Sequence, residues 1–151
     1  MKRKLYSVVL LLVTAIVLNC VYLLPAQAGD DGSGNKPLNF LSSSPANGAT
    51  SVNRNITRIK LTFDKNVVND TVWANNVKCV SLRQGTQLVP ATVSRVKDTV
   101  NMSERRNIYV YPKSKLKRAA KYTIVVNPKL TAKNQNKLGK TVTINFKTKL
   151  F

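Results

Sequence analysis

Side chains able to shuttle protons, attack carbon or hold metal are scarce in this chain. It has no histidine and only six acids, Asp30, Asp31, Asp64, Asp70, Asp98 and Glu104. Catalysis needs a base, a nucleophile or a metal converging on one site. Asp30 and Asp31 lie in a Gly/Asp/Ser-rich stretch. The spacing of the other four favours no acid–base pair, and turn or capping roles suit them better. Two cysteines without histidine do not make a zinc site. There is no Gly-rich phosphate loop and no serine in a strand–turn–helix setting. No enzyme, catalytic residue, cofactor or metal centre is expected.

What the chain offers instead is positive charge. It carries 25 Lys and Arg against 6 Asp and Glu, a formal net charge of +19. The distribution is uneven: thirteen Lys and Arg, and no acid, follow Glu104. Asymmetry of this kind points to an anionic partner, although charge also keeps a small domain soluble. Lysines outnumber arginines in this basic half. Lysine acts as a point charge where arginine recognises planar groups bidentately, so the expected attraction is loose and salt-sensitive. The candidate partners are anionic surface polymers (teichoic acid or acidic polysaccharide), anionic lipid headgroups and, more weakly, nucleic acid.

The N-terminus decides where such a partner would be met. Residues 1–28 read as a signal peptide. Lys2, Arg3 and Lys4 precede an apolar run from Leu5 to Leu24, and Pro25-Ala26-Gln27-Ala28 gives a small-residue cleavage site. Two alternatives are an uncleaved anchor, since the run is roughly long enough to span a bilayer, and lipidation at Cys20, for which Asn19 is the wrong neighbour. The anchor would be the chain's link to a membrane. All three readings place the remainder outside the cytoplasm, secreted or at the cell surface. Cleavage leaves Cys79 without an internal disulfide partner, and its strand-like setting suits a small buried hydrophobe.

Residues 29–37 read as a flexible leader and 38–151 as one domain. The domain is a series of short strand-like runs divided by turn chemistry. The predicted strands are 38–42, 57–63, 77–82, 86–96, 107–111, 121–126 and 141–147, with Pro90 marking an edge or a bulge in the fourth. Ser44-Pro45-Ala46-Asn47-Gly48 is a turn, Lys97–Arg106 a polar connection, and 114–121 too short to be more than a turn. Alternation puts Ile59, Leu61 and Phe63 inward, with Ile108 and Val110, then Tyr122, Ile124 and Val126, then Val142, Ile144 and Phe146. Tyr122, six residues after Leu116, suits a tyrosine corner with its ring inside and its hydroxyl on backbone. About seven strands and no helix predict an all-β sandwich of two sheets. Asn55-Ile56-Thr57, Asn69-Asp70-Thr71 and Asn101-Met102-Ser103 match the glycosylation pattern, but matches this short arise by chance.

The ordered set of motifs resembles a family. Ser44-Pro45-Ala46-Asn47-Gly48-Ala49, then Val52, then Ile59 to Val67, is similar to the opening of the bacterial Ig-like domains named for the S-layer protein SbsA. Ile108-Tyr109-Val110-Tyr111-Pro112, Leu116 and Tyr122 to Val126 follow that family's later pattern, and Val142 to Thr148 its closing strand. Where the family often has an Asp and then an Ala-Gly-Asn turn, this chain has Leu130 to Leu138 without acid or glycine. That leaves the ion contact and tight turn of the family's loop open. The resemblance implies an Ig-like β-sandwich, usually on exported or wall-associated bacterial proteins; it does not imply an enzyme or a fixed ligand.

In such a sandwich the second predicted strand pairs with the fifth. Arg58 and Lys60 then share an outer face with Tyr109 and Tyr111, both expected to be exposed. Aromatic faces beside cations stack on sugars or bases while the cations hold phosphate. With Lys113, Lys115, Lys117 and Arg118 from the following loop, these residues are the candidate binding site. The functional expectation is an exported, non-catalytic Ig-like module at the bacterial surface that binds anionic cell-wall or surface polymer. The alternative is a protein–protein interaction or spacer module of a surface assembly, with another surface protein as partner.

Overall fold

Alternating apolar and polar residues give each strand one dry face, and two such faces must meet to exclude water. The computed structural model describes residues 36–151. The signal-peptide, anchor and lipidation readings, and most of the predicted leader, fall outside the described residues. No helix among these residues is long and apolar enough to cross a membrane.

Among the described residues nine strands form two sheets. They are β1 (Phe40–Ser44), β2 (Ala49–Val52), β3 (Ile59–Phe63), β4 (Val80–Gln84), β5 (Gln87–Leu88), β6 (Ala91–Ser94), β7 (Asn107–Pro112), β8 (Lys121–Val126) and β9 (Val142–Thr148). The first sheet has the order β1-β3-β7-β6 and the second β2-β9-β8-β4-β5. All pairings are antiparallel except β2 with β9. This is the Ig-like β-sandwich expected from the sequence.

The inward rows are those the alternation assigns. Ile59, Leu61, Phe63, Ile108, Val110, Ile124 and Val126 are fully buried, and Tyr122, Ile144 and Phe146 nearly so, while Val142 is half-buried. Burying a side chain of this kind contributes about 1.5–3 kcal/mol. The Tyr122 and Phe146 rings stack at 5.7 Å and 21°, and Phe40 meets Phe63 edge-on. Cys79 is a buried free thiol, as expected of a small hydrophobe, and burial raises its pKa.

Three details differ from the sequence reading. The run 86–96 lies at sheet edges, one of the two roles Pro90 suggested, but it also changes sheets there: Gln87–Leu88 is the edge strand beside β4 in one sheet and Ala91–Ser94 the edge strand beside β7 in the other. Proline lacks the N–H a ladder needs, so the crossing falls where a donor is already missing. The short β2 adds a ninth strand to the seven expected.

The third difference is a helix, α1 (Asp70–Asn76), in a chain expected to have none. Its seven residues are too few to show a period. Asn69 caps it, accepting from the Thr71 amide at 3.2 Å and the Thr71 hydroxyl at 2.8 Å. Asn101 caps the 3₁₀ turn Met102–Glu104 in the same way through Ser103. Two of the three Asn-x-Ser/Thr matches are therefore caps, which need a side-chain acceptor followed by a hydroxyl. The loop 130–138 also closes tightly without glycine: Thr131 pairs with Lys137, and Gln135 takes the left-handed conformation at φ 70°.

Buried polar groups tie α1 to the sandwich. Asn76 is fully buried. Its Nδ2 donates to the carbonyls of Val67 (2.8 Å) and Thr131 (2.7 Å), and its Oδ1 accepts from the Thr131 amide at 2.9 Å. Tyr122 forms the predicted corner, its hydroxyl accepting from the Lys117 amide at 2.7 Å.

Removing one partner of a buried hydrogen bond costs more than the bond returns. Asn76→Ala will cost about 3 kcal/mol, because three backbone groups lose their partner together. Tyr122→Phe will cost about 1 kcal/mol, because it orphans one. Chemical denaturation will measure both, and the ranking should hold with the m-value unchanged.

Candidate functional site

The expected strand pairing is present. Lys60 on β3 lies directly opposite Tyr109 on β7, and Ser94 and Thr92 on β6 face Tyr109 and Tyr111. These residues share the outer face of the first sheet.

Tyr109 is nevertheless not exposed. It retains only 5% of its accessible surface, whereas Tyr111 keeps 37%. The expectation of two open rings holds for Tyr111 alone. The reason is lateral covering, because β7 is an inner strand flanked by β3 and β6. The Arg58 guanidinium sits 5.0 Å from the Tyr109 ring centroid. The Tyr111 ring lies 6.4 Å away, tilted 49°. The Tyr109 hydroxyl donates a short hydrogen bond to Glu104. An outward row on an inner strand can thus be covered by its own neighbours.

Glu104 changes the electrostatics of this face. It accepts from Tyr109 and from Asn107 Nδ2 at 2.9 Å, and the Thr62 hydroxyl holds Asn107 Oδ1 at 2.9 Å. The Tyr109 and Asn107 hydrogen bonds hold the Glu104 carboxyl below its usual range against the opposing effect of burial, helped by the charges of Lys60 and Arg58. Burial, with the Glu104 hydrogen bond and charge, pushes Tyr109 up to about 12. Arg58 and Lys60 therefore act in part on an anion of the chain itself. The sequence placed Glu104 in a polar connection, and nothing in its spacing links it to Tyr109.

The other carboxylates expected in turn or capping roles are separately engaged. Asp64 accepts from the Asn39 amide at 2.8 Å and Asn39 Nδ2 at 3.0 Å. Asp98 accepts from Asn66 and Asn69 at 2.8 and 2.7 Å. Asp70 opens α1 and meets Arg95 and Lys97. Among the described residues no three of His, Cys, Asp and Glu are grouped to hold a metal.

The remaining candidates lie on the loop from Lys113 to Ala120, between β7 and β8. Lys113, Lys115, Lys117 and Arg118 are all exposed, and none has an ion-pair partner among the described residues. The loop is held firmly from beneath. The Lys113 amide donates to Pro90 O at 3.0 Å and the Leu116 amide to Arg54 O at 3.0 Å. Leu116 is buried. The Thr148 hydroxyl donates to Lys117 O at 2.6 Å and accepts from the Ala120 amide at 3.0 Å.

Tyr111, Lys113 and Lys115 line one open groove of about 650 Å³, opposite Asn55, Ile56 and Thr57. Lys115 and Lys117 border a second, smaller recess of about 200 Å³ beside Gln84 and Gln87. The candidate set therefore divides. Tyr109 is covered and bonded to Glu104, beside an exposed Arg58 and a half-buried Lys60, whereas Tyr111 and the loop lysines line open grooves. The Asn55–Thr57 wall was missed, since a polar loop carries no periodic signal.

A folded-state pKa raised above the unfolded value gives stability that is present below the unfolded value, about 10 for tyrosine, and is lost as pH rises. For Tyr109 that window runs from about 10 to about 12. Tyr109→Phe will leave the phenolate absorbance gained up to about pH 11 unchanged and will flatten the loss of thermal stability across that window. Ultraviolet titration and melting curves check this.

The profile of the family described as "Bacterial Ig-like domain" matches residues 34–148. No curated protein matches the chain. Among solved structures, the N-terminal part of the bacterial S-layer protein SbsC superposes with a TM-score of 0.51 at 18% identity, covering 76% of this chain. The chain spans only 24% of that S-layer chain. CopC from Methylosinus trichosporium OB3b gives a TM-score of 0.51 at 13% identity, covering 74% of this chain and 93% of that one. Identities this low establish a shared fold, and the profile match over most of the chain establishes more: the protein belongs to the bacterial Ig-like domain family.

Proposed function

We propose that this chain is an exported, non-catalytic Ig-like module of the bacterial cell surface that binds anionic surface polymer, a teichoic acid or acidic polysaccharide. The observation that carries this reading is the groove at Tyr111, Lys113 and Lys115, where an exposed ring stands beside lysines that have no ion-pair partner among the described residues. A ring face takes a sugar or polyol backbone while ammonium groups take its charges. The loop is pinned by backbone hydrogen bonds, so binding orders little that is not already ordered. Long-range attraction from the acid-free half gathers the polymer before contact.

The surface setting is supported by the signal-peptide pattern of residues 1–28 and by the resemblance to SbsA-type domains. The non-catalytic reading is supported by the separate structural work of Asp64, Asp70, Asp98 and Glu104. A protein-interaction or spacer role is the second reading, favoured by Leu88 at 66% and Leu41 at 53% exposure on the edge strands β5 and β1.

The two readings differ in salt dependence. Retention of the chain on isolated cell walls will be lost when anionic polymer is stripped from them and will fall steeply with added salt, as charge-driven binding does. Tyr111→Ser with Lys113→Gln and Lys115→Gln will lower retention about tenfold or more, each lost phosphate contact reducing the salt slope by roughly one. Retention that ignores salt and stripping would move the assignment to a protein interface with an apolar centre.

A further inference from the structure

The outer face of the second sheet carries a separate charge arrangement. Lys121 on β8 lies directly opposite Lys147 on β9, and the next outward pair is Thr123 with Asn145. Arg83 on β4 faces Thr123 from the other side. Like charges placed directly opposite on one sheet face destabilise it. Both lysines are exposed, and neither has an ion-pair partner among the described residues. No Asp or Glu occurs in β2, β4, β5, β8 or β9. The strands of the first sheet carry no acid either, but Glu104 from the turn before β7 comes close enough to feel Lys60 and Arg58.

The two lysines border a recess of about 500 Å³. Gly48, Ala49 and Gly85 also line it, so part of its wall is nearly bare backbone that a ligand can approach closely. Asn145 is oriented in it. Its Oδ1 accepts from the Thr123 hydroxyl at 2.8 Å, and its Nδ2 donates to no group among the described residues. Its backbone is held as well, by Asn47 Oδ1 at 2.8 Å and the Gly48 amide at 2.7 Å.

We infer that this recess is a second binding site, which takes the phosphate of a polyol- or sugar-phosphate chain between Lys121 and Lys147, with Asn145 Nδ2 as a neutral donor. An oxyanion placed between opposed ammonium groups turns their repulsion into two attractions. Hydrogen bonds from a charged donor to an oxyanion are among the strongest available. The carrier of the phosphate rests on the function proposed above, but the oxyanion site itself does not. A contact on each sheet makes the module bivalent, so that a polymer held at one face raises its own concentration at the other, or two chains are bridged.

The test titrates the full chain with sodium phosphate at constant ionic strength, balanced with sodium chloride, and follows amide shifts by NMR. Shifts should centre on Lys121, Thr123, Asn145 and Lys147. They should vanish in K121Q/K147Q and persist in K121R/K147R, with the melting temperature of the Gln variant unchanged or raised. Shifts spread evenly over the exposed lysines, or surviving in K121Q/K147Q, overturn the site.

A second arm measures binding to polyglycerol phosphate. K121Q/K147Q should weaken it about tenfold, independently of the groove variant Y111S/K113Q/K115Q. Full polymer affinity in the recess variant overturns the assignment to polymer phosphate. Full affinity in the groove variant alone overturns the groove reading and leaves the recess standing.

Discussion

A lysine or arginine cannot be sealed between two apolar sheets without a partner, and this chain has few partners to give. It carries 25 Lys and Arg against 6 Asp and Glu. Desolvating an unpaired ammonium costs several kcal/mol, which is comparable to the whole stability of a domain. The cations are therefore driven to the outer faces and the loops, and the apolar rows close against each other. Lys65 is the fully buried exception, and it is not left without a partner. Much of the architecture follows from this sorting. The same force that builds the core lays a positive coat over it.

That coat is given shape by interactions which are not themselves electrostatic. The loop from Lys113 to Ala120 carries its lysines outward because its backbone is engaged inward. Leu116 enters the core, the Tyr122 hydroxyl holds the Lys117 amide, and Thr148 holds both Lys117 and Ala120. Tyr122 is thus a structural residue with a functional consequence: its ring stacks on Phe146 while its hydroxyl fixes the base of the basic loop. The buried amide of Asn76 does comparable work at the other joint, coupling α1 to the segments around Val67 and Thr131. Each anchor satisfies backbone groups that burial would otherwise leave unpaired.

The two sheet faces differ in how near an acidic side chain comes to their cations. On the first sheet Glu104 bonds the Tyr109 hydroxyl and feels the charges of Lys60 and Arg58, while Arg58 covers the Tyr109 ring. On the second sheet Lys121 and Lys147 stand side by side on adjacent strands at the border of a recess, with no ion-pair partner among the described residues. Net charge alone does not reveal which cations have an acidic neighbour. The position of one acidic side chain does.

Much of this was legible from the sequence because it obeys short-range rules. The two-residue period identified the inward rows, and the turn at Ser44–Gly48 and the Leu116–Tyr122 spacing follow local chemistry. The absence of acid after Glu104 located the basic half. The tertiary structure decided what depends on residues distant along the chain. Alternation told which way Tyr109 points, but only the packing of Arg58 and Glu104 around it decided that it would be covered. Pro90 was visible as an interruption, yet whether a strand bulges or changes sheets depends on which neighbours lie on either side. Helix α1 escaped notice because seven residues hold no period and its cap reads as a chance motif. The opposition of Lys121 and Lys147, twenty-six residues apart, exists only through the register of β8 and β9. Periodicity is written into neighbouring residues, whereas register and covering are settled only when the sheets close.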